Sequence, residues 1–171
     1  ENCIIYAVIV WLAAAIYRQL GLSGAGLGWA ALFFALDMCF ATPVGWIAAR
    51  NTLLATCFGF ACILLHDRAR RSGRPALLAL ACVCFSLSLL SAELGLCTLG
   101  YVLAHALAVD RAPPWRRALA LTPYAALIGL YLAHYFGAGY GMSASGDNPD
   151  VVGAPGAALR TWIGSLPVWL A

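Results

Sequence analysis

Lysine is missing altogether: all ten cationic residues among the 171 are arginine. Charge of either sign is scarce, at 10% of residues, while 63% are hydrophobic; an average soluble domain carries about 25% charged and about 45–50% apolar residues. So little polar surface cannot coat a water-soluble globule, and a soluble fold is excluded. The usual chemical signatures are absent as well. No CxxC and no Cys/His group with zinc spacing occurs. Nor is there a phosphate-binding Walker loop, a GxSxG nucleophile turn or a dinucleotide fingerprint. No repeat of fixed period and no low-complexity tract interrupts the chain, and no basic segment followed by a short apolar run marks a signal peptide.

What is present is a series of long uncharged runs: Asn2–Tyr17, Gln19–Leu36, Met38–Ala49, Asn51–His66, Pro75–Ala92, Leu94–Val109 and Ala118–Gly146. Several approach the roughly 20 apolar residues that a bilayer crossing needs. Backbone polar groups have no water to bond inside a bilayer, so each crossing must pair its own N–H and C=O groups, and the runs lack the alternation of a membrane barrel. The expected fold class is therefore all-α, a polytopic transmembrane helix bundle forming a single helical region over residues 1–171. Glu1 at the start and the interrupted apolar run Trp162–Ala171 at the end read as cuts in a larger membrane protein.

Arginine placement sets the expected orientation. Arg68, Arg70, Arg71 and Arg74 crowd one loop, and Arg111, Arg116 and Arg117 another; the positive-inside rule puts both on the cytoplasmic side. The stretch between them must cross twice, with arms Pro75–Leu90 and Leu94–Val109 and an outer tip at Ser91-Ala92-Glu93. Outward from these anchors, Cys3–Tyr17 descends, Leu22–Leu36 rises, Asp37–Arg50 lies outside or re-enters, Asn51–Leu65 descends and Ala118–Phe136 rises. Gly137–Leu159, rich in glycine, is then an outer loop, and Thr161 onward returns. Gly24 and Gly28 form a GxxxG pair suited to close helix packing.

Seven cysteines, nearly all in apolar runs, read as small hydrophobes. Cys82 and Cys84 are two apart and on a helix point different ways. Cys3 and Cys39 fall near the same outer surface, a disulfide that the topology would permit. His66, His105 and His134 are scattered over three helices and by spacing form no ligand set. Ionisable groups near hydrocarbon are costly and by default suspect, and four lie toward the outer half: Asp37, Arg50, Glu93 and Arg160. They read either as markers of helix ends in the headgroup layer or as an outward-facing polar cluster, with Arg50 for a lipid phosphate and carboxylates for a polar acceptor.

The stretch Trp29–Asp37, running on through Val44-Gly45-Trp46-Ile47-Ala48-Ala49-Arg50-Asn51-Thr52-Leu53-Leu54-Ala55, resembles the core of polytopic membrane glycosyltransferases of the GT-C type, related to protein O-mannosyltransferases. In that family a Phe-Ala-Leu run leads into His-Pro and an acidic residue, then Trp-Ile-Ser/Ala-Gly-Arg and an Asn/Asp-Leu-Leu helix start, with a later Ser-Lys-Glu tip. Asp37, Met38, Thr42 and Ala92 stand here where that family has His, Pro, the acidic residue and Lys. The resemblance implies transfer of a sugar from a polyprenyl-phosphate carrier to an acceptor on the extracytoplasmic face of a membrane, here a bacterial inner membrane. It implies binding roles for Arg50 and Glu93, with Asp37 beside them. The family's catalytic acid lies in an outer loop ahead of the region that Glu1 begins, so no catalytic residue is assigned. The residues demand no cofactor and no metal. Expected partners are the lipid bilayer, the polyprenyl-phosphate-linked sugar donor and neighbouring membrane proteins, with no nucleic acid. The replaced motif positions leave a second class open, a non-catalytic membrane subunit or scaffold; a transporter is disfavoured by the lack of mid-helix charges or an inverted repeat.

Overall fold

The computed structural model describes residues 1–37 and 41–138 together with Gly156 and Arg160. Among the described residues the structure is helical, with no strand. In chain order the helices are α1 (Asn2–Gln19), α2 (Gly24–Ala35), α3 (Ala41–Gly45), α4 (Arg50–Ser72), α5 (Pro75–Ser91), α6 (Cys97–Ala108) and α7 (Pro114–Gly137). Short 3₁₀ turns, Ile47–Ala49 and Glu93–Leu96, lead into α4 and α6. The chain divides into two compact units, Glu1–Leu127 and Ile128–Ala171. Most of the expected outer loop Gly137–Leu159, the returning segment from Thr161, and Met38 and Cys39 lie outside the described residues.

Among the described residues three segments are long and apolar enough to cross a membrane: Asn2–Gln19, Ile47–Ser72 and Pro114–Gly137. The outward faces of the helices stay apolar. Trp11 is 66% exposed, Leu107 80% and Leu90 76%, a distribution that water penalises and hydrocarbon does not. The expected crossing Leu22–Leu36 is a shorter element. Gly21 and Gly24 take the left-handed backbone at φ 100° and 56°, so α2 starts late and its 12 residues span only about 18 Å at 1.5 Å per residue.

Local chemistry explains the turns. Gly73 closes α4 in the left-handed conformation, φ 68°, its N–H bonding the Ala69 carbonyl at 2.8 Å; glycine bears this geometry without a Cβ penalty. Pro75 then opens α5 at a position where its missing N–H costs nothing. At the other end of α5 the chain breaks at Ala92, which is extended (φ −163°, ψ 156°). The expected tip is therefore a break followed by a 3₁₀ turn, and α5 and α6 pack mainly on α4 instead of on each other.

α4 is the axis of the first unit and packs against α1, α5 and α6. Leu12 and Ile16 of α1 meet Ile63 and Leu64 of α4 in a buried cluster flanked by Phe60 and Tyr101. Ser88 of α5 donates a buried hydrogen bond to the Ala55 carbonyl at 2.7 Å. Gly59 lets α6 approach closely, since a Cβ there would stand 2.6 Å from Thr98 Oγ1. Phe85 and Tyr124, both fully buried, meet edge to face at 5.4 Å and 72°, a geometry worth about 0.5–1.5 kcal/mol beyond area burial. In the second unit the described end of α7 carries Tyr131, Tyr135 and Phe136 in successive ring contacts of 5.7 and 5.6 Å.

Candidate membrane groove and buried ionic network

The first unit has a polar end and an arginine-rich end. At the polar end, the Asn2 side-chain amide lies under the chain that enters α4, donating to the carbonyls of Pro43, Val44 and Trp46 at 3.3–3.4 Å. Its Oδ1 accepts from Arg50 Nε at 3.2 Å, and Arg50 Nη2 lies 2.9 Å from Glu1 Oε2. Arg50 is thus held by one amide and one carboxylate. Two of the five guanidinium N–H donors are used, and the side chain keeps 38% of its surface exposed. Asp37 is exposed and follows α2, whose last turn is tied to α1 by the Tyr6 hydroxyl at 3.1 and 3.0 Å from the Phe34 and Ala35 carbonyls. Glu93 is exposed and opens the 3₁₀ turn that packs on α4. Arg50, Asp37 and Glu93 therefore belong to one end of the unit; the described partners of Arg50 are Glu1 and Asn2.

Between α4 and α6 an apolar groove of about 480 Å³ runs inward from that end, along Thr52, Thr56, Gly59, Phe60 and Ile63 on one wall and Leu94, Thr98 and Tyr101 on the other. Arg50 and Glu93 are not among its lining residues; they precede Thr52 and Leu94, at its outer end, by two residues and by one. From Thr52 to Ile63 the α4 wall extends about 16 Å at helical rise. The volume falls within the roughly 300–1,000 Å³ of small-molecule sites, and the lining suits a hydrocarbon chain.

At the arginine-rich end lies a network absent from the sequence-based candidates. Asp67, buried on α4, accepts from Arg71 Nε at 2.9 and 2.8 Å and from His105 Nε2 of α6 at 2.9 Å. Among the described residues the buried His105 Nδ1 has no partner. A ring nitrogen against a carboxylate must donate, so His105 Nε2 carries a proton directed at Asp67. His66, one residue before Asp67, meets the His105 ring edge-on at 5.3 Å and lies 3.0 Å by Nδ1 from the Tyr124 hydroxyl, which the Cys62 and Cys82 thiols also approach. Two of the histidines that the sequence scatters over three helices therefore meet: His66 and His105 come together by ring contact, each with its own hydrogen-bond partner. Among the described residues no group of three metal-ligating side chains forms.

Arg70 and Asp110 extend this network to the loop before α7, with a 2.7 Å contact between Nε and Oδ2. Burial alone would raise the Asp110 carboxyl, but hydrogen bonds from Arg70 and from the Ala112 amide, together with the Arg70 charge, hold it below the usual carboxylate value. Arg117 closes the loop by donating to the Ala112 and Ala106 carbonyls at 2.6 and 3.1 Å. A cavity of about 470 Å³ opens beside these groups. Its two carboxylates hold Arg70 and Arg71, with Arg111 a third arginine on its wall, and its evident role is to lock α4, α6 and the loop together.

Comparison of the chain with protein-family models, with curated proteins and with solved structures found no match.

Proposed function

We propose that this chain is the lipid-carrier-binding part of a polytopic bacterial inner-membrane glycosyltransferase that moves a sugar from a polyprenyl phosphate to an acceptor on the extracytoplasmic face. The observation that carries this reading is the apolar groove between α4 and α6, which begins at the end of the unit that carries Arg50 and Glu93. A lipid-linked donor needs a hydrocarbon-lined channel, a cation for its phosphate and a polar group for the acceptor, in that order along one line. The prenyl chain occupies the groove, and Arg50 exchanges the exposed Glu1 carboxylate, a surface pair of small net worth, for the phosphate. Glu93 and Asp37 belong to the same end of the unit, where the acceptor arrives. The replacements at Asp37, Met38, Thr42 and Ala92 favour a second reading, a non-catalytic subunit that keeps the lipid groove alone.

Binding of a fluorescent polyprenyl phosphate to the purified chain tests the proposal. Arg50→Ala should weaken it by about tenfold or more, as expected for loss of a charge-assisted pair worth about 1.5–3 kcal/mol. Arg50→Lys should restore only part, because a point charge replaces a bidentate fork. Equal affinity in all three proteins would overturn the phosphate role of Arg50.

A further inference from the structure

Away from the groove and the buried network, a smaller cleft of about 160 Å³ lies between α1 and α4 at the arginine-rich end, lined by Trp11, Ala14, Ala15, Arg18, Gln19 and Arg68. Arg18 and Arg68 are both exposed, and neither makes an ion pair among the described residues. The nearest carboxylate in sequence, Asp67, is buried and committed to Arg71 and His105. Arg71 Nη2 donates to the Gln19 carbonyl at 2.9 Å and ties the end of α1 to α4. Two guanidinium groups thus share one cleft whose lining includes no carboxylate, beside a tryptophan 66% exposed on the outer surface.

We propose that this cleft binds the phosphate of one anionic phospholipid from the leaflet at the arginine-rich end. Guanidinium forks match phosphate oxygens, and basic clefts between membrane helices are suited to acidic headgroups. The volume is too small to bury a whole soluble ligand, for which roughly 300–1,000 Å³ is usual, and suits a headgroup whose chains remain in the bilayer. Ala14 and Ala15 leave the α1 wall shallow, and the face of Trp11, nearly two helical turns deeper than Arg18, lies where the glycerol and first acyl carbons would pass.

The test is native mass spectrometry of the purified chain in detergent, titrated with phosphatidylglycerol or phosphatidylcholine. One phosphatidylglycerol should be retained in preference to phosphatidylcholine. Arg18→Gln and Arg68→Gln should each lower that retention about fivefold, in keeping with the contribution of one arginine at an anionic surface, and the double variant should lose the preference. The double Arg→Lys variant should keep part of it, which separates loss of the site from misfolding. Arg74→Gln at the same end should leave it unchanged. Equal retention of the two lipids, an unaltered preference in the double Gln variant, or displacement of the lipid by millimolar inorganic phosphate would overturn the proposal, the last by assigning the cleft to soluble anions.

Discussion

Removing the Asp67 carboxylate should destabilise the first unit mainly through His105. The Asp67 side chain is 6% exposed and that of His105 2%, and Nδ1 of that ring already lacks a partner. In Asp67→Ala the His105 Nε2–H is left buried without an acceptor, a loss of about 1–3 kcal/mol. Arg71 loses its carboxylate too, but its side chain is 54% exposed and retains the Gln19 carbonyl, so that share is about 1 kcal/mol or less. The expected cost is about 1–4 kcal/mol in total. Asp67→Asn should cost less, since its amide oxygen can still accept from His105 while Arg71 swings into solvent. His105→Leu removes the stranded donor, so the Asp67→Ala/His105→Leu pair should be less destabilised than the sum of the single changes by about 1–3 kcal/mol. Reversible unfolding in mixed micelles, followed by helical circular dichroism for the wild type and the four variants, measures this coupling. Strict additivity, or an Asp67→Asn cost equal to that of Asp67→Ala, would refute the assignment of His105 as a donor to Asp67.

Three further outcomes are expected. Gly95→Ala should destabilise the chain by about 1–3 kcal/mol, because its Cβ would stand 2.6–2.8 Å from backbone atoms of Ser88 and Leu89, whereas a Cβ at Gly100 meets nothing and Gly100→Ala should be neutral or gain up to about 1 kcal/mol in the same unfolding assay. Because Arg70 and the Ala112 amide hold the Asp110 carboxyl below its usual value, its contribution is present above the usual carboxylate pKa, about 4, and is lost as pH falls through the lowered folded-state value; thermal scans from pH 7 to 3 should show this acid-side loss in the wild type and not in Asp110→Asn. In a cysteine-free background, an impermeant thiol reagent added outside cells should label Asp147→Cys and not Ser72→Cys, and the reverse pattern would invert the orientation drawn from the arginines.

The start of α5 at Pro75 was legible, a proline suited to a first turn, but the end of α4 was not: the expected crossing stops at Leu65 with Arg68–Arg74 in a loop, whereas the helix runs on to Ser72 and closes at the left-handed Gly73. The break at Ala92 was legible from the one polar step in a long apolar stretch. The length of α2 was not, since an uncharged run from Gln19 to Leu36 looks continuous while two glycines with positive φ delay the helix. The Asp67 network was the larger omission. Its i,i+4 pair with Arg71 was readable as helix spacing, but the His105 and Tyr124 partners lie 38 and 58 residues from their counterparts. These helices are apolar nearly all round, so periodicity does not say which faces meet. Arg50 and Glu93 stood out for a simpler reason, charge at the edge of hydrocarbon, and that same scarcity drew attention away from ionic groups gathered at the arginine-rich end.

The groove between α4 and α6 is most directly tested with a photoreactive polyprenyl phosphate bearing a diazirine in its first isoprene units, irradiated with the purified chain and mapped by peptide mass spectrometry. The account predicts adducts on the α4 wall from Thr52 to Ile63 and on Cys97–Tyr101 of α6, competed by unlabelled polyprenyl phosphate and strongly reduced in Arg50→Ala. Adducts spread over the outward faces around Leu90 and Leu107, unaffected by competitor or by the Arg50 change, would contradict it.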